Sequence, residues 1–200
     1  MFQTIAPLIL ASGSPRRLKF LADLDLKFTV VSADIDESTQ TDELPGEYVC
    51  RLAGEKAAVV AAGQPKSWVI GADTVVVLGG EILGKPEGPE GALAMLKRLA
   101  GRTHEVWTGV TVLRWQDQAS RTFAVCTEVT FAEVSESVLA AYVATGEPLD
   151  KAGSYGIQGH GVFLVSAITG SYSNVVGLPL PELLGQLLDL GIISPAACRL

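Results

Sequence analysis

Two hundred residues, 48% of them hydrophobic and 18% charged, make a chain long enough to bury a core without disulfide or metal staples and too apolar to be disordered. Fifteen Lys and Arg against 22 Asp and Glu leave a formal net charge of −7, which argues against non-specific binding to nucleic acid or to an anionic membrane. Three widely spaced cysteines (Cys50, Cys126, Cys198) and two histidines (His104, His160) give no CxxC pair and no zinc spacing, so reduced thiols in a cytoplasmic protein are expected.

The N-terminus has no basic run ahead of its short apolar stretch, so no signal peptide is expected, and nothing approaches the ~18 uncharged apolar residues of a membrane span. From there strand and helix signals alternate. "PLILAS" (7–12) reads as a buried strand. "SPRRLKFLADL" (14–24) opens a helix with Ser14 as N-cap, Pro15 where a missing N–H is harmless, and Leu18, Leu21 and Leu24 at helical spacing. "KFTVVSA" (27–33) is the next strand. A helix from about Pro45 to Ala62 should turn Tyr48, Leu52 and Val59 inward and carry Glu47, Arg51 and Glu55 on a polar stripe.

"WVIGADTVVVLGGEIL" (68–83) is a strand that turns back through Gly79-Gly80, and "PEGALAMLKRLAGR" (89–102) is a helix closed by Gly101. Two alternating runs (104–115 and 121–134) around the polar link "QDQAS" predict a long antiparallel hairpin. A helix (135–146), a glycine-rich stretch (150–161), a strand "VFLVSAIT" (162–169) and a last helix (179–191) complete the chain. The absence of repeats, low-complexity tracts and linkers predicts one α/β domain over residues 1–200 with a mixed sheet.

The chemistry begins at "ASGSPRR" (11–17), where Ser12, Ser14, Arg16 and Arg17 sit at or beside a helix N-terminus. Free amides and an arginine fork suit an anion, phosphate above all, and two arginines in a first turn oppose the helix dipole. The alternative is an ordinary capped turn with solvated arginines. No Walker A pattern is present. Asp73 is a lone carboxylate in an apolar strand, expensive unless it ligates a metal, pairs or titrates, and otherwise a satisfied aspartate at a strand end. "SADIDES" adds Asp34, Asp36 and Glu37, either metal ligands or a solvated acidic loop. Lys56 borders the polar face of its helix, within reach of the interior, and Lys85 is fixed between Gly84 and Pro86; each is otherwise a solvated side chain. The glycine-rich segment lacks dinucleotide spacing, but Gln158 within it can both donate and accept, as a uracil-type imide edge requires. His104, at a strand start, suits a structural role better than a catalytic one.

Together, "LILASGSPRR", "DIDES", "YVCRLAGEKA", "VIGADTVV", "ILGKP", "AMLKRLAGRTHEVWTGV", "TGEPLDKAGSYGIQGHG" and "ITGSYSNVVGLPLPEL" resemble the Maf family of nucleoside triphosphate pyrophosphatases over nearly the whole chain. The resemblance implies an elongated α/β fold related to the inosine triphosphatase group, with two lobes around a cleft. It implies cleavage between the α- and β-phosphates, dependent on a divalent cation (Mg²⁺ or Mn²⁺). By the same resemblance Asp73 is the catalytic acid/base and a metal ligand, Glu37 is a metal-linked carboxylate, and Ser12, Arg16, Arg17, Lys56 and Lys85 contact phosphates. Arg16, Thr74 and Gln158 are associated with base selectivity in the subgroup acting on dTTP and UTP. The sister subgroup acting on 7-methyl-GTP usually has a Lys and an acidic residue in place of Ile157 and Gln158. Modified pyrimidine triphosphates are a further candidate substrate, and a non-enzymatic nucleotide-binding regulator of cell division is the rival class. Family members are often dimers, so a homodimer is among the expected partners. One departure is Gly54, where relatives often carry a larger residue.

Overall fold

The computed structural model describes residues 1–196, so the expectation of a reduced thiol at Cys198 lies outside the described residues. In chain order the first elements are β1 (Phe2–Thr4), β2 (Leu8–Leu10), α1 (Pro15–Asp23), β3 (Thr29–Val30), α2 (Pro45–Gly63), β4 (Trp68–Leu78) and β5 (Glu81–Leu83). After them come α3 (Gly88–Leu99), β6 (Thr103–Arg114), β7 (Ala119–Phe131), α4 (Glu136–Ala144), β8 (Val165–Thr169), α5 (Tyr172–Val176), α6 (Leu180–Asp189) and β9 (Ile193–Pro195). The main sheet has the order β3-β2-β4-β6-β7-β8, with β5 along β4. It is mixed, as expected: β2 runs parallel to β3 and β4, whereas β4 and β5, and β7 and β8, are antiparallel. The hairpin of β6 and β7 turns at a 3₁₀ turn over Trp115–Asp117 and at Gln118, which takes a left-handed φ of 55°. Threonine pairs cross it at Thr103–Thr130 and Thr111–Thr122, both 2.9 Å between hydroxyls.

The chain divides into two compact units. The first comprises Met1–Asp73, Thr108–Ala124 and the chain from Gly177; the second comprises Thr74–Trp107 and Val125–Val176. In the first unit β2 and the start of β4, which run parallel, are buried on both faces, as parallel strands between helices must be. Leu8, Leu10, Ile70, Val110 and Val112 pack with Leu21 of α1 and Leu183 and Leu187 of α6. The alternate residues Ile9, Ala11, Val69 and Leu113 pack with Ala57, Val60 and Ala61 of α2. In the second unit α3 and α4 close over Val76, Leu78, Val106, Val129 and Phe131. Among the described residues no helix is long and apolar enough to cross a membrane.

Several local expectations are corrected. The third strand is only Thr29–Val30, and 162–164 belong to a 3₁₀ turn that ends at Leu164. On α1, Leu18 is exposed and Arg17 takes the buried position next to Leu21. On α2, Val59 is 55% exposed, and the sheet-facing ridge is Val49, Ala53, Ala57 and Ala61. That ridge can approach because the facing strand positions are glycines. A Cβ on Gly71 would stand 2.1 Å from the Ala53 carbonyl oxygen, and one on Gly109 would stand 2.3 Å from the Val49 carbonyl. The small strand pair β1–β9 and the short α5 were not expected, since three- and five-residue elements leave too little periodicity to detect.

Candidate active site

The close approach of α2 places the charges. On β4, Val69, Gly71 and Asp73 alternate onto the face that meets α2, because strand side chains repeat every two residues. Lys56 lies one residue before Ala57, whose backbone rests against Gly71, and its ammonium reaches 2.7 Å from Asp73 Oδ1. The same ammonium lies 2.6 Å from Glu37 Oε1. Lys56 and Asp73 are each 9% exposed, whereas the Glu37 side chain is 48% exposed. One buried cation therefore gathers two carboxylates, one from a strand and one from the loop between β3 and α2. Asp36 is not part of the cluster; its carboxylate caps the Ser38 N–H at 2.9 Å, which holds its pKa below the usual carboxylate range.

Arg17 enters the same unit from α1. Its Nε donates to the Gly177 carbonyl at 2.7 Å, and its Nη1 donates to the Ala72 carbonyl at 2.8 Å and to Ser12 Oγ at 3.2 Å. Burial lowers the pKa of this guanidinium, while the negative charges of Asp73 and Glu37 oppose that shift. Ser14 is the N-cap residue as expected, with Pro15 behind it, but its side chain makes no cap bond. Ser12 Oγ accepts the Ser14 N–H at 3.3 Å instead. Arg16 is half-buried beside Arg17. Ser12, Arg17, Lys56, Glu37 and Asp73 are thus linked within the first unit.

The other expected residues belong to the second unit. Thr74 is half-buried directly after Asp73 on β4, and Lys85 is exposed just after β5. The Gly84 carbonyl before Lys85 accepts the Gly153 N–H at 3.1 Å, which clips this loop to the glycine-rich segment. Gln158 is exposed, and its Nε2 donates to the Tyr172 hydroxyl at 3.0 Å. His104 is buried, with Nε2 2.9 Å from the Tyr155 hydroxyl and edge-on contacts to Phe131 and Tyr155. Burial pulls its pKa down to about 4.

Two residues of α2 matter more than their sequence signals showed. Tyr48, expected only to fill the core, donates its hydroxyl to the Glu37 carbonyl at 2.7 Å. Burial, with the nearby Asp73 and Glu37 charges, pushes its pKa up to about 12. Arg51, expected on a polar stripe, grips both oxygens of Glu43 at 2.6 and 2.7 Å and donates to the Ser38 carbonyl at 3.0 Å. These bonds anchor a loop without regular structure and so fix where Glu37 points. No spacing on α2 signals it, because 48 and 51 lie eight and five residues before Lys56, about 80° and 140° around the helix from it.

Chemically the cluster offers oxygen donors from two carboxylates and fixed positive charge from Lys56 and Arg17. Among the described residues no group of three or more His, Cys, Asp or Glu gathers to hold a metal. A hard cation that keeps waters and binds phosphate oxygens takes one or two carboxylates from the protein, and Asp73 with Glu37 supply that number.

Residues 7–190 match the family model described as "Maf-like protein". The dTTP/UTP pyrophosphatase of Desulfotalea psychrophila is 53% identical, over 97% of this chain and 100% of the relative. That of Myxococcus xanthus is also 53% identical, over 94% of each chain. Among solved structures, the Staphylococcus aureus Ham1 protein shares the fold at 16% identity and a TM-score of 0.54, over 92% of this chain and 99% of that one. With a family match over most of its length and relatives at half identity or better, the chain belongs to the Maf family.

Proposed function

We propose that this protein is a dTTP/UTP pyrophosphatase, hydrolysing these triphosphates to the monophosphate and pyrophosphate. The curated relatives that carry this name, at 53% identity over nearly the full chain, support the substrate assignment. The observation that carries the chemistry is Lys56, whose buried ammonium bridges Asp73 and Glu37 at 2.7 and 2.6 Å. Asp73 is the general base: it takes a proton from the water that attacks the α-phosphorus. The bond from that phosphorus to the α–β bridging oxygen breaks, and its electron pair leaves on pyrophosphate. Lys56 fixes the direction of the Asp73 carboxylate, Ser12, Arg16 and Lys85 bind phosphate oxygens, and Arg17 braces Ser12 and the backbone before Asp73. Asp73 and Glu37 are the residues that would hold a divalent cation, Mg²⁺ or Mn²⁺. When bound, such a cation draws charge from the phosphate oxygens and from the leaving group. Gln158, with Arg16 and Thr74, selects the base: the amide both donates and accepts, matching the N3–H and carbonyl of uracil or thymine.

The test is a hydrolysis screen of dTTP, UTP, the other canonical triphosphates and 7-methyl-GTP, each with Mg²⁺ or Mn²⁺, read as phosphate after adding inorganic pyrophosphatase. Turnover of dTTP and UTP well above the purine nucleotides is expected. Preferential cleavage of 7-methyl-GTP, or nucleotide binding without turnover, would refute the assignment.

A further inference from the structure

The segment 156–161 carries Gln158, yet its only regular structure is the start of the 3₁₀ turn over Gly159–Leu164. One carboxylate shapes it. Glu147 Oε2 accepts the His160 N–H at 2.8 Å, and Oε1 accepts the Gly161 N–H at 3.1 Å. The Tyr142 hydroxyl donates to Oε1 at 2.9 Å and itself accepts the Gly156 N–H at 3.1 Å. His160 Nδ1 adds a contact to Oε2 at 3.0 Å. Gly159, at φ +73°, has no room for a side chain, since a Cβ there would stand 2.5 Å from Glu147 Oε2. Behind the carboxylate, Lys151 Nζ donates to the Glu147 carbonyl at 2.5 Å. Desolvation raises the carboxyl pKa, but donation from His160, Tyr142 and Gly161 outweighs it and leaves the group at about 2. The carboxylate is therefore ionised and saturated with donors throughout the neutral range.

We infer that Glu147, together with the Tyr142 hydroxyl, is the positioning device for base selection: it sets the backbone on both sides of Gln158 and thereby places the amide that reads the base. This rests on the proposed pyrimidine-triphosphate activity. The anchored amides, Gly156 on one side and His160 and Gly161 on the other, leave only Ile157 to Gly159 between them. The Gln158 side chain has its own tether at Tyr172, so a loop shift displaces the amide and that tether together. A two-point contact to an imide edge is sensitive to such a shift, because about 1 Å of misplacement can reduce rate by about a hundredfold. Glu147→Gln keeps the side-chain shape but turns one acceptor into a donor facing a backbone N–H. Tyr142→Phe removes only a hydroxyl and leaves the buried ring in place.

The experiment measures kcat and KM for UTP and CTP with the parent, Glu147→Gln, Tyr142→Phe, Gln158→Ala and the Glu147→Gln/Gln158→Ala double variant, alongside thermal melts. For folded variants the ratio of kcat/KM for UTP over CTP should fall at least tenfold, chiefly through KM for UTP. The double variant should lose no more than Gln158→Ala alone. A preference within twofold of the parent in folded Glu147→Gln and Tyr142→Phe would overturn the positioning role while leaving the proposed function standing. Unfolding of both variants would assign the network to stability alone and overturn it equally. A parent that hydrolyses neither UTP nor dTTP would refute the proposed function, and this inference with it.

Discussion

Replacing Lys56 by Met keeps most of the buried apolar stem and removes the charge. The magnitude follows from the pair it leaves behind. At the 2.7 Å separation of Lys56 Nζ and Asp73 Oδ1, an effective dielectric constant of about 20 gives an attraction of about 6 kcal/mol. Much of that offsets the desolvation of two charges, and breaking a buried pair by deleting one partner costs about 3–5 kcal/mol. Glu37 adds little, because its side chain is 48% exposed and water screens it. The residual exposure of the pair points to the lower end, about 3 kcal/mol, or about 6–12 °C in melting temperature for a chain of this size. Activity should fall further than stability, with kcat/KM for UTP down at least a hundredfold, since the general base loses the group that aims it. The assay is a thermal melt with steady-state kinetics, with exposed Lys66→Met as the control that should change neither. Adding Asp73→Asn to Lys56→Met should recover part of the lost stability, because the amide leaves no uncompensated charge. A Lys56→Met protein that melts within about 1 °C of the parent would refute the reasoning, since so small a shift is under half a kcal/mol.

Asp73→Asn alone should keep the fold, because Lys56 retains Glu37, and should lower turnover at least a hundredfold, within the ~10²–10⁴ supplied by a general base; steady-state kinetics with UTP checks it. Gly54→Ala should raise stability by about 1 kcal/mol, since Gly54 lies inside α2 and a Cβ there meets nothing nearer than Thr111 Oγ1 at 3.8 Å; urea denaturation reads the gain. His104, at about 4 when folded against an ordinary 6.5, takes up a proton more readily unfolded, so the stability it contributes is present above about pH 6.5 and is lost as pH falls towards 4. The loss should total about 3 kcal/mol over that window, and melts of a His104→Gln variant across pH 4–7 should show a flatter profile.

What the sequence made legible was what periodicity and turn chemistry encode. The long strands β4, β6 and β7, the Gly79-Gly80 turn and the helix stop at Gly101 come from strong local signals. On α2, Tyr48 and Leu52 are buried as expected, but Val59 was misplaced because pattern reading gives weight to large apolar side chains. The contact is set instead by Ala53 and Ala57 opposite Gly71 and by the Val49 backbone opposite Gly109, where the absence of side chains on the strands is the signal. The site residues were visible as types, an aspartate in an apolar strand and a lysine at the edge of a polar face. Their union came from the family resemblance and not from spacing, because it depends on the depth to which α2 sinks. Tyr48 and Arg51 were seen only as members of a helix, since bonds to the carbonyls of Glu37 and Ser38 in an irregular loop leave no pattern in either segment.

The doubled arginine of α1 shows how neighbouring like charges divide their work. Two cations in a first turn oppose the helix dipole, which is a reason to look for an anion near both. Arg17, however, directs Nε and Nη1 at the Gly177 and Ala72 carbonyls and at Ser12 Oγ. A buried guanidinium with carbonyl partners braces the residue before Asp73, the segment at Gly177 and the hydroxyl of Ser12 in a single contact. A lysine could not replace it, having no planar fork to span three acceptors. Arg16, one residue earlier and a hundred degrees around the helix, is left half-buried. Arg17 thus fixes the frame in which Ser12 and Asp73 are held, and Arg16 is the cation of the pair whose exposure suits it to meet a ligand.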